Sequence, residues 1–531
     1  MKGEILLLDC TLRDGGFINN WEFGRNGIVN IADRLAYAGI DIVELGFLRE
    51  LSGYDENRSE FASLENINGL IKKSAGVMLA AMIEFGTYGL NNIDILQDNA
   101  AVNSLRLMFR KNEIDDALNY AAALKTRGYE IFLQPVNIMD YSPDDILSLV
   151  HKANALKPFA FYIVDTYGFM NAEDLIKRFY LIDSVLKEDI KIGYHSHNNF
   201  QLAYSNSIEL INKRGKRDII IDASVFGMGK GAGNANTELI ALYLNDNYGK
   251  EYNIDQLLEI ADIYIEKERE KHFWGYTLLY YIAASERVHH QYVRYLINKK
   301  ILSVKSIKEI LRGLDESKKT SYDKEYIHKK YLEYQSVTIN DKHAYEELKK
   351  LFKGRNILVL GLGFNAIKEI DKINEYIAAA EPIVIALNHI PDNIAADYIF
   401  IGNAKRYGQT VCKYKNMECR SLFKVIAVSN IFPSSLGIDF VLNYADLQTG
   451  EMEFDSSGIM LLLALIKAGV NKAALAGFDG FEGKSEDFCE KGYELAGDNA
   501  AKTEIFSKKL RELAKEIDIS FITSSRYETA L

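Results

Sequence analysis

Short apolar runs and amphipathic stretches alternate through the first 240 residues. The runs at 5–9, 40–46, 77–83, 104–109, 130–136, 159–165, 190–197 and 218–223 are nearly continuous and end at polar residues. Between them, stretches such as 28–37 and 175–186 space their apolar positions by three and four. Continuous apolar strands alternating with such helices predict a parallel sheet covered by helices on its outer face. Eight units in this length fit a closed (β/α)8 TIM barrel, which typically takes roughly 250 residues. An open doubly wound sheet is the rival, but it rarely needs eight strands with polar residues gathered at their C-terminal ends.

The pattern then changes. Residues 241–350 show helical spacing, at 253–267, 276–298 and 306–315, and 317–350 reads as a charge-laced helical connector rich in Lys, Glu and Tyr. From Gly354 the string NILVLGLGFNAIKEI is a strand, a glycine turn and an amphipathic helix. Strands are predicted at 398–401, 424–428, 440–443, 473–476 and 519–522, after PIVIALN, with an apolar helix over 458–468. The predicted domains are therefore a barrel over 1–240, post-barrel helices over 241–350 and a Rossmann-like α/β domain over 351–531. Gly361 and Gly363 approximate a phosphate-binding turn. The following strand ends at Asn388, where a dinucleotide enzyme would usually carry an acid, so NAD is not expected.

The chain's 531 residues exceed what one core supports, in keeping with this division. A net charge of −11 argues against a broad nucleic-acid surface. No run of 18 apolar residues predicts a membrane span. The N-terminus enters the motif DCTLRDGG too early for a signal peptide, and the four cysteines form no CxxC pair, which predicts thiols in the cytoplasm.

Chemistry gathers at the strand ends. His195 and His197 have the strand period, so both imidazoles face one cavity. Two neutral imidazoles and a carboxylate make an open divalent-metal site, and Asp14 is the best carboxylate. Arg13 beside it cannot lose its proton and suits an enolate oxygen. Glu44, Asp165 and Thr166, also at strand ends, are candidates to contact substrate or to support groups that do.

The strings DCTLRDGG, HSHNNFQLAYSNS and DASVFGMGKGAGNANTE resemble three signatures of the DRE-TIM metallolyases, closest to the 4-hydroxy-2-oxovalerate aldolases, over residues 3–315. The resemblance implies Asp14, His195 and His197 as metal ligands, Asn234 as a further ligand or its support, and Arg13 as the enolate-stabilising arginine. It implies Mn²⁺, with Mg²⁺ or Zn²⁺ as alternatives, and a 2-oxo acid and an aldehyde as substrates. Tyr276, or Tyr280 in a second alignment, matches a substrate-contacting tyrosine. Phe17 departs from the pattern: it stands where those aldolases use a histidine for acid–base work, and it cannot exchange protons.

In the second half, VLGLGFNAIKEI, IVIALNHI and the stretch ending GFDGF are similar to Rossmann-like domains of the motility-associated-factor and sialyltransferase-like group. That resemblance implies a nucleotide or nucleotide-sugar pocket at Gly361, Gly363, Asn388, Ser456, Ser457, Gly458 and Asp479. The alternative for this stretch is that Asp455 and Ser456 cap the helix. Three function classes follow: a metal-dependent aldolase or lyase, for which the domain pairing suggests polysaccharide or modified-sugar synthesis; an acyl-CoA-dependent Claisen-type synthase; and a scaffold. Intact Arg13, Asp14, His195 and His197 weigh against the scaffold. A homo-oligomer is expected.

Overall fold

The computed structural model describes residues 2–530 apart from 74–75, 300–301, 336–338, 416–422, 432, 434–435, 449–455 and 481–498. It divides into two compact units, Met1–His290 and Gln291–Leu531.

In the first unit nine strands are present: β1 (Ile5–Asp9), β2 (Ile42–Leu48), β3 (Glu60–Phe61), β4 (Met78–Glu84), β5 (Ser104–Phe109), β6 (Glu130–Pro135), β7 (Ala160–Asp165), β8 (Lys191–Ser196) and β9 (Ile219–Ala223). All pair in parallel. β1 pairs with β9 on one side and with β2 on the other, so the sheet closes on itself. Eight strands form the ring, a (β/α)8 TIM barrel. The two-residue β3 hangs on the end of β2, outside the ring.

Apart from side chains such as Glu44, Arg106 and Asp222, the strands are mainly apolar because both faces are buried. Leu8, Ile42, Ala80, Phe132, Tyr162 and Ile220 pack together in one cluster, separate from the larger core that holds the apolar faces of the surrounding helices. Local chemistry starts those helices. The Ser142 hydroxyl caps Pro143–Leu156, and the Asn171 side chain accepts from Asp174 N at the head of Ala172–Asp183. The helix predicted over 253–267 is present as Ile254–Ile260, a π turn at Ala261–Ile265 and Glu266–Lys271.

The second unit begins with helices, including Val304–Arg312, Lys324–Gln335 and Lys342–Phe352. A parallel sheet follows: β10 (Ile357–Leu360), β11 (Ile383–Leu387), β12 (Tyr398–Ile401), β13 (Lys424–Val428), β14 (Phe440–Leu442), β15 (Lys472–Ala476) and β16 (Asp518–Phe521). Its order is β14-β13-β12-β11-β10-β15-β16. Strand order therefore reverses between β10 and β15, and a crevice opens at such a point at the C-terminal ends of the strands. This is the Rossmann-like architecture. Among the described residues no helix is long and apolar enough to cross a membrane.

Candidate active site

Asp14 ends a single helical turn, Thr11–Asp14, that follows β1. His195 lies on β8, and His197 lies just past its end, in an isolated bridge with Asn234. One ligand atom from each of Asp14, His195 and His197 falls within 4.8 Å of the others, and all three side chains are buried. The imidazoles meet edge to face, 5.2 Å between ring centres.

The hydrogen bonds leave the donor set ready for a cation. Asp222 Oδ2 lies 3.0 Å from His195 Nδ1. A carboxylate only accepts, so the imidazole proton sits on Nδ1 and the Nε2 lone pair is left over. Burial pushes Asp222 up, but Arg106 and His195 outweigh it and hold the carboxyl below its ordinary range. Asn234 Nδ2 donates to Asp14 Oδ2 at 2.8 Å. Among the described residues, Asn234 Oδ1 and His197 Nδ1 are buried and have no hydrogen-bond partner. Buried polar atoms are rarely left so, and a divalent cation accepts what these atoms offer. The approach is close: a Cβ on Gly229 would come within 2.2 Å of Asn234 Nδ2 and 2.5 Å of Asp14 Oδ2. The residues present fit a divalent metal.

Behind the ligands runs a ladder of charges. Glu44 Oε2 accepts from Arg13 Nε and lies the same 2.8 Å from Arg106 Nη1. Arg106 Nη2 pairs with Asp222 Oδ2, the oxygen that also holds His195. The Tyr162 hydroxyl donates to Asp222 Oδ1 at 2.9 Å. Arg13 also pairs with Asp14. Burial pushes the Asp14 carboxyl up, but Arg13, His197 and His195 outweigh it and hold it well below the usual range. The ladder thus links the Arg13 guanidinium with the His195 imidazole, and it fixes both.

Burial pushes the His197 imidazole from 6.5 down to about 3, against the Asp14 charge. The folded chain therefore keeps this ring neutral where the unfolded chain protonates it. Because the folded value is the lower one, the contribution to stability is complete above about pH 6.5 and is lost as pH falls towards 3. Metal-free protein is expected to lose about 1.4 kcal/mol per pH unit from this group between roughly pH 6 and 4. Urea melts across that range check it, and His197→Gln should flatten the slope.

The structure brings Arg13, Asp14, Glu44, His195, His197 and Asn234 into one cluster. Phe17 stands at its rim, 39% exposed, with its ring 4.8 Å from Trp21 and 6.1 Å from Phe47. Asp165 is buried and accepts from the backbone N–H groups of Phe169 and Met170 at 3.2 and 3.1 Å. Burial raises its carboxyl to about 7 against those bonds. Thr166 Oγ1 accepts from Asn137 N at 2.8 Å. Tyr276 is 54% exposed and packs on Tyr281, while the Tyr280 ring packs on His290. Arg106 and Asp222 are the members of the ladder that sequence reasoning passed over. The signal was a charged residue in the middle of each of two apolar strands.

A family model described as HMGL-like matches residues 4–263. This part of the chain is an HMGL-like domain. It is 28% identical over 271 residues to a 4-hydroxy-2-oxovalerate aldolase of Geobacillus genomosp. 3, covering 50% of this chain and 78% of that one. A second aldolase of that name, from Pseudoalteromonas translucida (strain TAC 125), is 27% identical, with 50% and 76% covered. An oxaloacetate decarboxylase of Mycobacterium tuberculosis is 24% identical, with 49% and 75% covered. The HMGL-like domain thus carries the DRE-TIM resemblance seen in the three motifs.

Outside the HMGL-like domain, the second unit gathers its candidate residues at the C-terminal ends of its strands. Gly363 N donates to Gly477 O, and Asn365 N donates to Asp479 Oδ2 at 2.8 Å. The turn after β10 is therefore tied to the turn after β15, across the point where strand order reverses. Gly361 N donates to Ala476 O, and a Cβ on Gly363 would meet Asp479 Oδ1 at 2.4 Å. Asn388 adopts a left-handed conformation, φ 64°, and accepts from Gly402 N at 2.9 Å. Ser456 caps the helix Ser457–Lys467, within which Gly458 is buried; Asp455 lies outside the described residues. A cavity beside Asn388 is lined by Leu360, Ile367, His389, Pro391 and Ile394.

At the other sulfur positions, Cys10 and Cys412 are free thiols, and Cys419 and Cys489 lie outside the described residues. Cys10 is buried at the end of β1, its thiol donates to Ala223 O, and burial pushes it well above its ordinary value.

Proposed function

We propose that the HMGL-like domain is a divalent-metal-dependent carbon–carbon lyase that forms or cleaves a bond of a 2-oxo acid, with an aldehyde as the other reactant. The observation that carries this reading is the buried Asp14, His195 and His197 set beside a fixed arginine. A divalent ion held there would supply a Lewis acid for the oxygens of the 2-oxo acid, and Mn²⁺ suits a set of oxygen and imidazole donors without thiolate, with Mg²⁺ or Zn²⁺ as alternatives.

The rest falls to the chain's own groups. Arg13 keeps its charge, because burial pushes its guanidinium down but Glu44 and Asp14 outweigh burial and raise it above the ordinary value. Glu44 and Asp14 also fix its orientation, so the positive charge waits where an enolate oxygen develops rather than swinging in to meet it. Asp222 holds the proton of His195 on Nδ1. In the cleavage direction the C3–C4 bond breaks and its electron pair enters the enolate. The 4-hydroxyl gives up its proton as the aldehyde forms, and a proton at C3 then yields pyruvate. Decarboxylation of oxaloacetate passes through the same pyruvate enolate, so the activities named for both groups of relatives make one demand on such a site.

The test is exchange. Metal-loaded full-length protein is expected to bring deuterium from D₂O into the methyl group of pyruvate without any acyl-CoA. Strict dependence on an acyl-CoA would replace the lyase with a Claisen-type synthase.

Phe17→His separates two versions of the reading. A pocket lacking only a proton carrier would gain roughly 10²–10⁴-fold in cleavage of a short 4-hydroxy-2-oxo acid. The expected result is no such gain, since the exposed Phe17 ring, backed by the buried Trp21 and Phe47 rings, offers an apolar face suited to a different second reactant. We further propose a nucleotide or nucleotide-sugar ligand for the crevice of the second unit, with the whole chain serving modified-sugar synthesis. Equilibrium dialysis of the full chain against labelled nucleoside-diphosphate sugars tests it.

A further inference from the structure

Lys230 lies in the loop after β9, and its backbone N–H donates to Asp14 Oδ2 at 3.1 Å, so the loop is pinned to the metal-ligand carboxylate. Its side chain is partly buried and places Nζ over the face of Phe17, 5.4 Å from the ring centre. Among the described residues, no carboxylate lies at ion-pair distance from this ammonium. The neighbouring acids are taken: Asp14 pairs with Arg13, and Glu84 pairs with Arg110 at 2.7 Å. An aromatic face compensates a desolvated cation only in part. Asp14 and Glu84 attract the Lys230 charge from beyond ion-pair distance while Arg13 and Arg110 repel it, and the nearby His289 imidazole is held down first by burial and then by Lys230.

A cation held partly out of water without a carboxylate is costly, and an anionic ligand would remove the cost. Position indicates which reactant brings that anion. Asp14, His195, His197 and Arg13 are all less than a tenth exposed, and they take the 2-oxo acid. Lys230 sits on the solvent side of them, over the exposed rim residue Phe17, where the second reactant must enter.

We infer that Lys230 determines specificity for an anionic aldehyde, one bearing a carboxylate or a phosphate, which it binds through that group while the carbonyl reaches towards Arg13. This rests on the lyase reading for the identity of the first substrate. The phenyl ring of Phe17 then does two things: it shapes the wall against which the aldehyde's carbon chain lies, and it holds the ammonium in place.

The experiment is calorimetric binding to the metal-loaded full chain. Succinic semialdehyde is compared with butanal for the carboxylate arm, and glyceraldehyde 3-phosphate with glyceraldehyde for the phosphate arm. In the wild type, at least one anionic aldehyde is expected to bind about 10–100-fold more tightly than its neutral counterpart, the range of a charge-assisted contact. Which arm shows the contrast identifies the anion. Lys230→Met should erase that contrast, and Lys230→Arg should keep much of it. Equal affinities within both wild-type pairs overturn the inference without needing any variant to fold. So does a contrast that survives in Lys230→Met, or a loss in that variant that falls on pyruvate instead, which would make the ammonium a contact of the 2-oxo acid. Pyruvate exchange in the wild type is scored separately: if it fails while the binding contrast holds, the lyase reading falls and the anion site stands.

Discussion

Replacing His195 or His197 by alanine is expected to abolish turnover and to leave a folded protein that no longer retains a divalent metal. Each substitution removes one of three protein ligands from a site whose remaining positions must stay open for substrate. The drop in metal affinity should exceed the roughly 10–100-fold that loss of a merely supporting group brings. Asp222→Asn provides that comparison, because it removes the carboxylate behind His195 and spares every ligand. Elemental analysis after gel filtration and a metal titration measure both effects. Full activity with unchanged metal content in either histidine variant would remove the site from consideration.

Arg106→Met is expected to be the most destabilising single change in the barrel. Arg106 is fully buried between Glu44 and Asp222. Its removal leaves Asp222 without its arginine and Glu44 with Arg13 alone, and breaking a buried pair in this way costs about 3–5 kcal/mol. Arg110→Met is the control. Arg110 also holds an acid, Glu84, but its side chain is 56% exposed, and such surface pairs contribute only about 0–1 kcal/mol. Urea denaturation of the metal-free proteins should therefore separate the two arginines clearly. The triple variant Arg106→Met, Glu44→Gln, Asp222→Asn should recover part of the loss, since it no longer buries unpaired charge. If Arg106→Met melts like Arg110→Met, the ladder does not hold the barrel interior.

The barrel was legible because each strand is buried on both faces and so reads as one apolar run ending in polar residues. The strands of the second sheet were legible as similar runs, although the edge strand β16 is only partly buried. The two-residue β3 was not, because a pair of residues carries no period. His195 and His197 announced themselves through strand spacing, and Asp14 through its place at the first strand end. Arg106 and Asp222 were hidden for a different reason. They are 116 residues apart, and only closure of the ring brings them together. A lone charge within an apolar strand is ambiguous until its partner is known. Lys230, within its glycine-rich string, carries no local sign of a role, since a lysine in a loop is usually solvated. Its significance comes from Phe17, more than 200 residues earlier, and no local pattern links them.

The sulfur of Cys10 shows how selectively this chain can be handled. A thiol that keeps its proton, deep at the end of β1 and donating to Ala223 O, is neither a nucleophile nor a soft ligand. Mild maleimide treatment should therefore spare it and reach Cys412, which is exposed on the other unit. With Cys419 and Cys489 replaced by serine, a dye or a surface tether attached at Cys412 would leave the candidate metal site chemically untouched, so the chain can be immobilised or watched in single molecules with Cys10 kept native.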